Sequence, residues 1–272
     1  MWDLSINLAA SAITGATVWL AQFLVRRRRL RRMQEFFGLR RDAECLLVVG
    51  RHAASGHPHS VHRNDVASLL ELAGVVRECG ARQRLVLHDE PVRGLGQLTE
   101  FCVGGPSSNS RTVGHLRWLL PGVRVGTGPD QPVTGRPGSD DPSTDVAQRR
   151  APFMRISVGG QVYDNQPDAV DYLLVARVPG PADRDWPLFV ICGQTSLSNH
   201  AGVAFLARAY PRLIRDYGVR GRFALVLRVV NPIAYGPHML EEVADVTEQA
   251  FSGAEPADGD SASHGRASLH DN

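Results

Sequence analysis

Apolar residues fall along this chain in short runs separated by glycine, proline and polar clusters, and the spacing inside each run predicts an element. Cys45-Leu46-Leu47-Val48-Val49-Gly50 is an unbroken apolar run ended by glycine, the form of a buried parallel strand. Over 65–79, Val66, Leu69, Leu70, Ala73 and Val76 recur at helical spacing, with Asn64 as the expected cap and Gly80 as the stop. Strands are expected at 84–88 and 100–103, then a helix over 110–120. Glycine and proline crowd 126–152, which predicts a flexible insertion. Arg155-Ile156-Ser157-Val158 and Gln161-Val162-Tyr163 flank Gly159-Gly160 as a hairpin. Strands follow at 172–178 and 188–192, the latter without a polar residue and so expected at a sheet centre. A helix over 200–217, which Pro211 should kink or divide, a strand over 223–230 and a closing helix over 238–251 complete the body. The tail, 252–272, is polar and glycine-rich and reads as disordered. The alternation predicts an α/β domain over 42–251: a Rossmann-like, mostly parallel sheet with helices on both faces.

The N-terminal stretch obeys a different pattern. Residues 4–25 carry no charge, and fifteen of these twenty-two positions are apolar. A helix of that length reaches about 33 Å, enough for a ~30 Å hydrocarbon core. Ser5, Asn7, Ser11, Thr14, Thr17 and Gln22 weaken it, while Ala9, Ala10, Ala12, Gly15 and Ala16 would admit a partner transmembrane helix. Arginines Arg26, Arg27, Arg28, Arg29, Arg31 and Arg32 follow directly, in a juxtamembrane collar over 26–41. Charge after the apolar stretch is the reverse of a signal peptide. The expectation is one transmembrane helix at the cell membrane, N-terminus outside, with the collar on anionic headgroups and the domain cytoplasmic. An amphipathic helix lying on the membrane, or a helix in a soluble core, is the rival.

Charge sharpens this picture. All 30 basic residues are arginine, and net charge is +2. Residues 26–41 hold eight arginines and one acid, whereas 42–272 hold 22 arginines and 26 acids. A slightly acidic body argues against a nucleic-acid partner, which needs a basic face. Cys45, Cys79, Cys102 and Cys192 are widely spaced without a Cys-x-x-Cys pair, as expected of buried, reduced thiols.

Candidate chemistry lies in two strand–loop–helix units: Val103-Gly104-Gly105-Pro106-Ser107-Ser108-Asn109, and Cys192-Gly193-Gln194-Thr195-Ser196-Leu197-Ser198-Asn199. Loops at strand C-terminal ends of open α/β sheets bind ligands, and the N–H groups of a helix start favour an anion. Gly104, Gly105, Pro106, Ser107, Ser108, Asn109, Gly193, Thr195, Ser196, Asn199 and His52 are therefore the expected ligand contacts. The same spacing also describes a turn followed by a helix cap. No strict dinucleotide, phosphate-loop or Gly-x-Ser-x-Gly signature is present. His52, His57, His59 and His62 crowd the loop after the first strand and form a secondary metal candidate without helical ligand spacing. Asp89 after the second strand, and Asp164 and Asn165 after the hairpin, are weaker polar candidates. The sequence names no cofactor.

The Gly104-Gly105-Pro106-Ser107-Ser108-Asn109 loop, with the later strand–Gly193–Thr195 loop, resembles a bacterial group of Rossmann-like domains with a Gly-Gly-Pro-x-x-Asn loop, joined to a transmembrane segment. The likeness covers about 45–230 and departs at Asn199-His200-Ala201-Gly202, where the group opens its helix with Gly-Thr. It implies ligand sensing. The combined expectation is a membrane-tethered, sensory or regulatory module for a small anionic ligand such as a nucleotide. The alternatives are a nucleoside or nucleotide hydrolase using His52, Asp89, Asn109 and Thr195, and a non-catalytic membrane-bound scaffold.

Overall fold

The structure is a computed structural model that describes residues 2–52, 55, 57, 60–91, 96–127, 154–180 and 186–252. Its strands are β1 (Glu44–Val49), β2 (Arg82–Leu87), β3 (Thr99–Val103), β4 (Val123–Thr127), β5 (Met154–Val158), β6 (Gln161–Asp164), β7 (Val170–Val178), β8 (Leu188–Gly193), β9 (Phe223–Val230) and β10 (Leu240–Asp245). Its α-helices are α1 (Trp2–Phe37), α2 (Arg63–Cys79), α3 (Ser110–Leu119), α4 (Ser196–Tyr217), α5 (Pro232–Tyr235) and α6 (Thr247–Phe251).

Seven strands form one sheet in the order β10-β9-β7-β8-β3-β1-β2. β2, β1, β3 and β8 run parallel, while β7 opposes both β8 and β9, and β10 opposes β9. Connection length explains the reversals. A parallel return needs a crossover of about a dozen residues or more. Nine residues separate Val178 from Leu188, and nine separate Val230 from Leu240. The α4 crossover, by contrast, returns β9 to the direction of β8. The sheet is thus mostly parallel by direction, and β8 holds its centre as its apolar sequence predicts.

One sheet face is closed by α2, α4 and the last turn of α1. Phe36 and Phe37 are fully buried there, with Phe37 against Phe189 at 5.5 Å and Phe101 at 6.1 Å between ring centres. The buried Arg177 guanidinium donates to Phe36 O at 3.1 Å and Gly221 O at 2.9 Å, satisfying a carbonyl that the helix end leaves open. The opposite face is closed by α3, α6 and an antiparallel sheet of order β4-β5-β6, so helices share that face with a second sheet. The Gly159-Gly160 hairpin forms as expected.

Several expectations change. The folded unit reaches back into 26–41, because Met33, Phe36, Phe37 and Leu39 are core residues. The cap of α2 is His62, whose Nδ1 accepts from Asn64 N at 3.2 Å, rather than Asn64. Pro211 does not divide α4; it is exposed, and buried Tyr210, Leu213 and Ile214 hold the helix through it. The closing helix over 238–251 is mostly the edge strand β10, with only Thr247–Phe251 helical. Pairing with β9 overrides the helical propensity of Leu-Glu-Glu, and Arg228 and Arg212 bridge to Glu241 and Glu242. Among the described residues no helix is long and apolar enough to cross a membrane. The spanning helix expected at 4–25 is therefore unsupported by the fold; α1 instead carries an exposed stretch, 15–29, with Trp19, Phe23, Leu24 and Val25 in solvent. The insertion expected from 126 starts later than that, because Gly126 and Thr127 pair with β5 as the end of β4; 128–152, the tail from 253 and His59 lie outside the described residues.

Candidate functional site

The C-terminal ends of β3 and β8 lie side by side, which brings the two glycine turns together: Gly104 N donates to Ile191 O at 2.9 Å, and a methyl group on Gly105 would stand 3.1 Å from Gly193 O. The first turn is closed. Asn109 is buried; its Nδ2 donates to Val103 O at 2.9 Å, and its Oδ1 accepts from Arg111 N at 3.0 Å and Thr112 N at 3.3 Å. These are the bonds of an N-cap. Ser108 O accepts from Arg51 N at 3.2 Å, and Gly50 packs so tightly that a Cβ there would lie 2.6 Å from the same oxygen. Backbone of the β3 loop therefore fills the crevice between the ends of β1 and β3, the switch point where a nucleotide phosphate would enter. Ser108 Oγ points its proton at Gly105 O, and the hydroxyl of Ser107 contacts Met154 Sδ.

The second turn is built differently. Asn199 Oδ1 accepts from Gly193 N at 2.7 Å, and its Nδ2 reaches Asp65 Oδ1 at 3.4 Å. Thr195 and Ser198 form a capping box at the start of α4. Gln194 accepts from Tyr172 N at 2.7 Å and donates to Met154 O at 2.6 Å and Tyr163 O at 2.8 Å, pinning the small sheet to the large one. The Thr195 hydroxyl donates to Asp171 Oδ2 at 2.6 Å. Asp171 is buried at the start of β7; burial raises its pKa, the Thr195 bond opposes that, and Asp168 adds to it.

Asp171 and Thr195 open onto a cavity of about 570 Å³, lined also by Arg63, Asn165, Asp168, Leu197, Pro232 and Ile233. Because β7 is antiparallel, its first residues reach the same sheet edge as the last residues of β8 and β9. Both α2, at Arg63, and α4, at Leu197, begin on this cavity. Asn165 lines it with a buried Oδ1 that lacks a hydrogen-bond partner. A buried acceptor without a protein partner is uncommon in a folded protein. Asp168 and Asn231, at the rim, hold left-handed backbone (φ 66° and 47°), which Asp and Asn adopt more readily than most residues.

The remaining expected residues divide. Ser196 accepts from Asn64 at 3.3 Å, linking the starts of α4 and α2. His52 stacks on His62 at 5.2 Å, and its Nδ1 is buried without a partner. His57 is exposed. Asp89 is held by Arg51 at 2.6 Å, and Asp164 by Arg155 at 2.7 Å, which keeps both carboxyls below the usual range. Neither is available as a free acid. Asp65 is buried and its pKa is pushed up to about 6, with Asn199 and His52 partly opposing the burial. All four cysteines are free, buried thiols raised to about 12 by burial.

Sequence reasoning passed over Arg63, Asp168, Asp171 and Ile233. Two signals point to them in retrospect: Asp171 heads a strand whose one other charged residue is Arg177, and Asn231-Pro232 is a turn signal directly after the last long strand. No family model, curated protein or solved structure matches the chain.

Proposed function

We propose that this protein is a membrane-attached α/β module that binds a small anionic, hydroxyl-bearing ligand, with a nucleotide as the leading class, in the cavity beside Thr195. One observation carries the reading: Arg63, Asp171 and the Thr195 turn share a single cavity at the sheet edge where α2 and α4 begin. Arg63 forms no ion pair among the described residues and, with two helix starts, favours a phosphate or carboxylate. Asp168 and Asp171 accept from hydroxyls. Pro167, Leu197, Pro232 and Ile233 supply an apolar wall for a flat group such as a base. The volume falls within the range usual for small-molecule sites.

Binding is placed ahead of hydrolysis because the described lining residues pair two carboxyls with no imidazole, the partner that acid–base turnover would ordinarily use. The test is thermal unfolding of the full chain with nucleosides, nucleotides and sugar phosphates. A ligand at a hundred times its Kd adds about 2.7 kcal/mol and raises Tm accordingly. Arg63→Ala should remove most of the rise for phosphate-bearing members, and Ile233→Trp should remove it for all. A panel without any shift, or a shift untouched by both variants, would sink the assignment.

Membrane attachment is the second half of the proposal. The exposed stretch 15–29 sets Trp19, Phe23, Leu24 and Val25 beside the arginines from Arg26 onward, the composition of a helix seated at an anionic interface. Full spanning, with the N-terminus outside, would further require a partner helix to pair the polar residues of 4–22. Flotation with anionic vesicles should carry the chain upward, and serine in place of Arg26 to Arg29 should leave it at the bottom. Equal flotation of both would remove the role given to the collar.

A further inference from the structure

Away from the cavity, three ligand-type side chains meet between β3 and α3. Glu100 and Cys102 are two apart on a strand and so share one face. Arg111 and His115 are four apart on a helix and share the side that faces them. Glu100 Oε1 lies 2.8 Å from His115 Nε2, and one ligand atom each from Glu100, Cys102 and His115 all lie within 4.8 Å of one another. Glu100 is 5 % exposed and Cys102 is 0 % exposed, while the His115 side chain retains 18 % of its surface. His115 is thus the solvent-facing member of the trio, and Glu100 and Cys102 lie buried behind it.

A carboxylate in such a place needs compensation, since burying an unpaired charge costs several kcal/mol. Arg111 gives only part of it. Its Nη1 stands 3.5 Å from Glu100 Oε2, a long contact, while Nη2 donates to Glu90 O at 3.0 Å. Arg111 can keep the second bond when it gives up the first. The sulfur is also prepared. Thr112 donates its proton to Gly104 O at 2.7 Å, so in the 3.4 Å contact with Cys102 the thiol is the donor, and Asn109 Nδ2 approaches the same sulfur at 3.5 Å. Loss of the thiol proton would leave that Asn109 N–H as an outer donor to a thiolate, the kind of support metal sites use.

We propose that Glu100, Cys102 and His115 form a binding site for a zinc-class divalent ion that clasps α3 to β3. Thiolate, imidazole and carboxylate together suit zinc, and three protein ligands leave a fourth position for water on the His115 side. Binding exchanges the thiol proton for the metal: the ion enters as M²⁺, the S–H bond breaks, an M–S bond forms, and one proton leaves to solvent.

The experiment is a Co²⁺ titration of the reduced, chelator-treated full chain, followed by absorption. The expected result is saturable binding with an intense thiolate-to-cobalt charge-transfer band, displaced by Zn²⁺. Cys102→Ser should abolish the band, Cys192→Ser should leave it, and His115→Gln should weaken binding by at least about tenfold. His115 is partly exposed, so this last variant keeps the test open even where the buried serine unfolds the chain; circular dichroism checks both. A wild-type chain without the band, a band that survives Cys102→Ser, or unchanged affinity in His115→Gln overturns the site and leaves Glu100 as a buried carboxyl hydrogen-bonded to Arg111 and His115.

Discussion

After β3 the chain turns through Gly104 and Gly105, and one buried asparagine, Asn109, holds the turn with bonds that all stay inside its own strand, loop and helix. After β8 the turn through Gly193 is also held by a buried asparagine, Asn199. Here, however, Gln194 reaches Met154, Tyr163 and Tyr172, Thr195 reaches Asp171, and Asn199 reaches Asp65. The two loops share a local form and differ in what they are attached to. A self-contained cap fixes one helix. A turn tied to both sheets and to α2 sets the walls of a cavity, and its geometry can report what that cavity holds. Resemblance at the level of glycine, serine and asparagine spacing does not separate these two cases.

The largest expected effect breaks the comparison at the glycines themselves. A Cβ on Gly193 would collide with Ser198 Oγ and sit 2.8 Å from both Asn199 N and Asn199 Oδ1, whereas one on Gly105 would meet the flexible end of Met154 at 2.9 Å and Gly193 O at 3.1 Å. Gly193→Ala should cost at least about 3 kcal/mol and Gly105→Ala about 1 kcal/mol, read by urea denaturation. Equal costs would mean that the second turn is no more constrained than the first.

A pH series comes next. The Asp65 carboxyl is raised from 3.8 to about 6 by burial, so between those values the folded chain holds a proton that the unfolded chain has lost. Its contribution is full at low pH and declines as pH rises toward 6, by roughly 2–3 kcal/mol at most. Asp65→Asn lacks that decline. Subtracting its denaturation series from that of wild type should isolate a fall with rising pH; a flat difference would contradict the burial argument. Asn199→Ala should move the decline to higher pH by removing a bond to the charged form, and Asn109→Ala should not move it at all.

In plain stability, Asn109→Ala should cost about 2 kcal/mol, because a cap is lost and a buried carbonyl is stranded. It should leave ligand-induced changes in Tm intact. The smallest contrast is at the serines. Ser107→Ala should be neutral within about 0.5 kcal/mol, and Ser196→Ala should cost only a few tenths more for its bond to Asn64.

Much of this architecture was readable before any coordinates. β8 is a continuous apolar run, and β1, β3 and β9 are apolar apart from Glu44, Thr99, Glu100 and Arg228, because they are buried on both faces; period and glycine stops are enough to place them. The antiparallel turn of β7 was not legible from its own residues, since Val170–Val178 would suit either direction; only the short connection to β8 decides it. β10 was misread because Leu-Glu-Glu-Val-Ala-Asp is a good helical sequence whose pairing partner, β9, lies outside any local window. The site shows the same limit. Local spacing found Thr195, but Arg63, Asp171 and Ile233 meet it only through the direction of β7 and the packing of α2 beside α4. In the glycine-proline loop, the more conspicuous motif in the sequence, the bonds of Ser108 Oγ and Asn109 stay within the loop and its own strand and helix.

The most direct measurement is a crystal structure of the chain soaked with the nucleotide that raises Tm most. The account predicts the phosphate beside Arg63, a hydroxyl on Asp171 or Asp168, and the flat group against Ile233. A nucleotide found instead over Gly104 to Ser108, with the Thr195 cavity untouched, would contradict it.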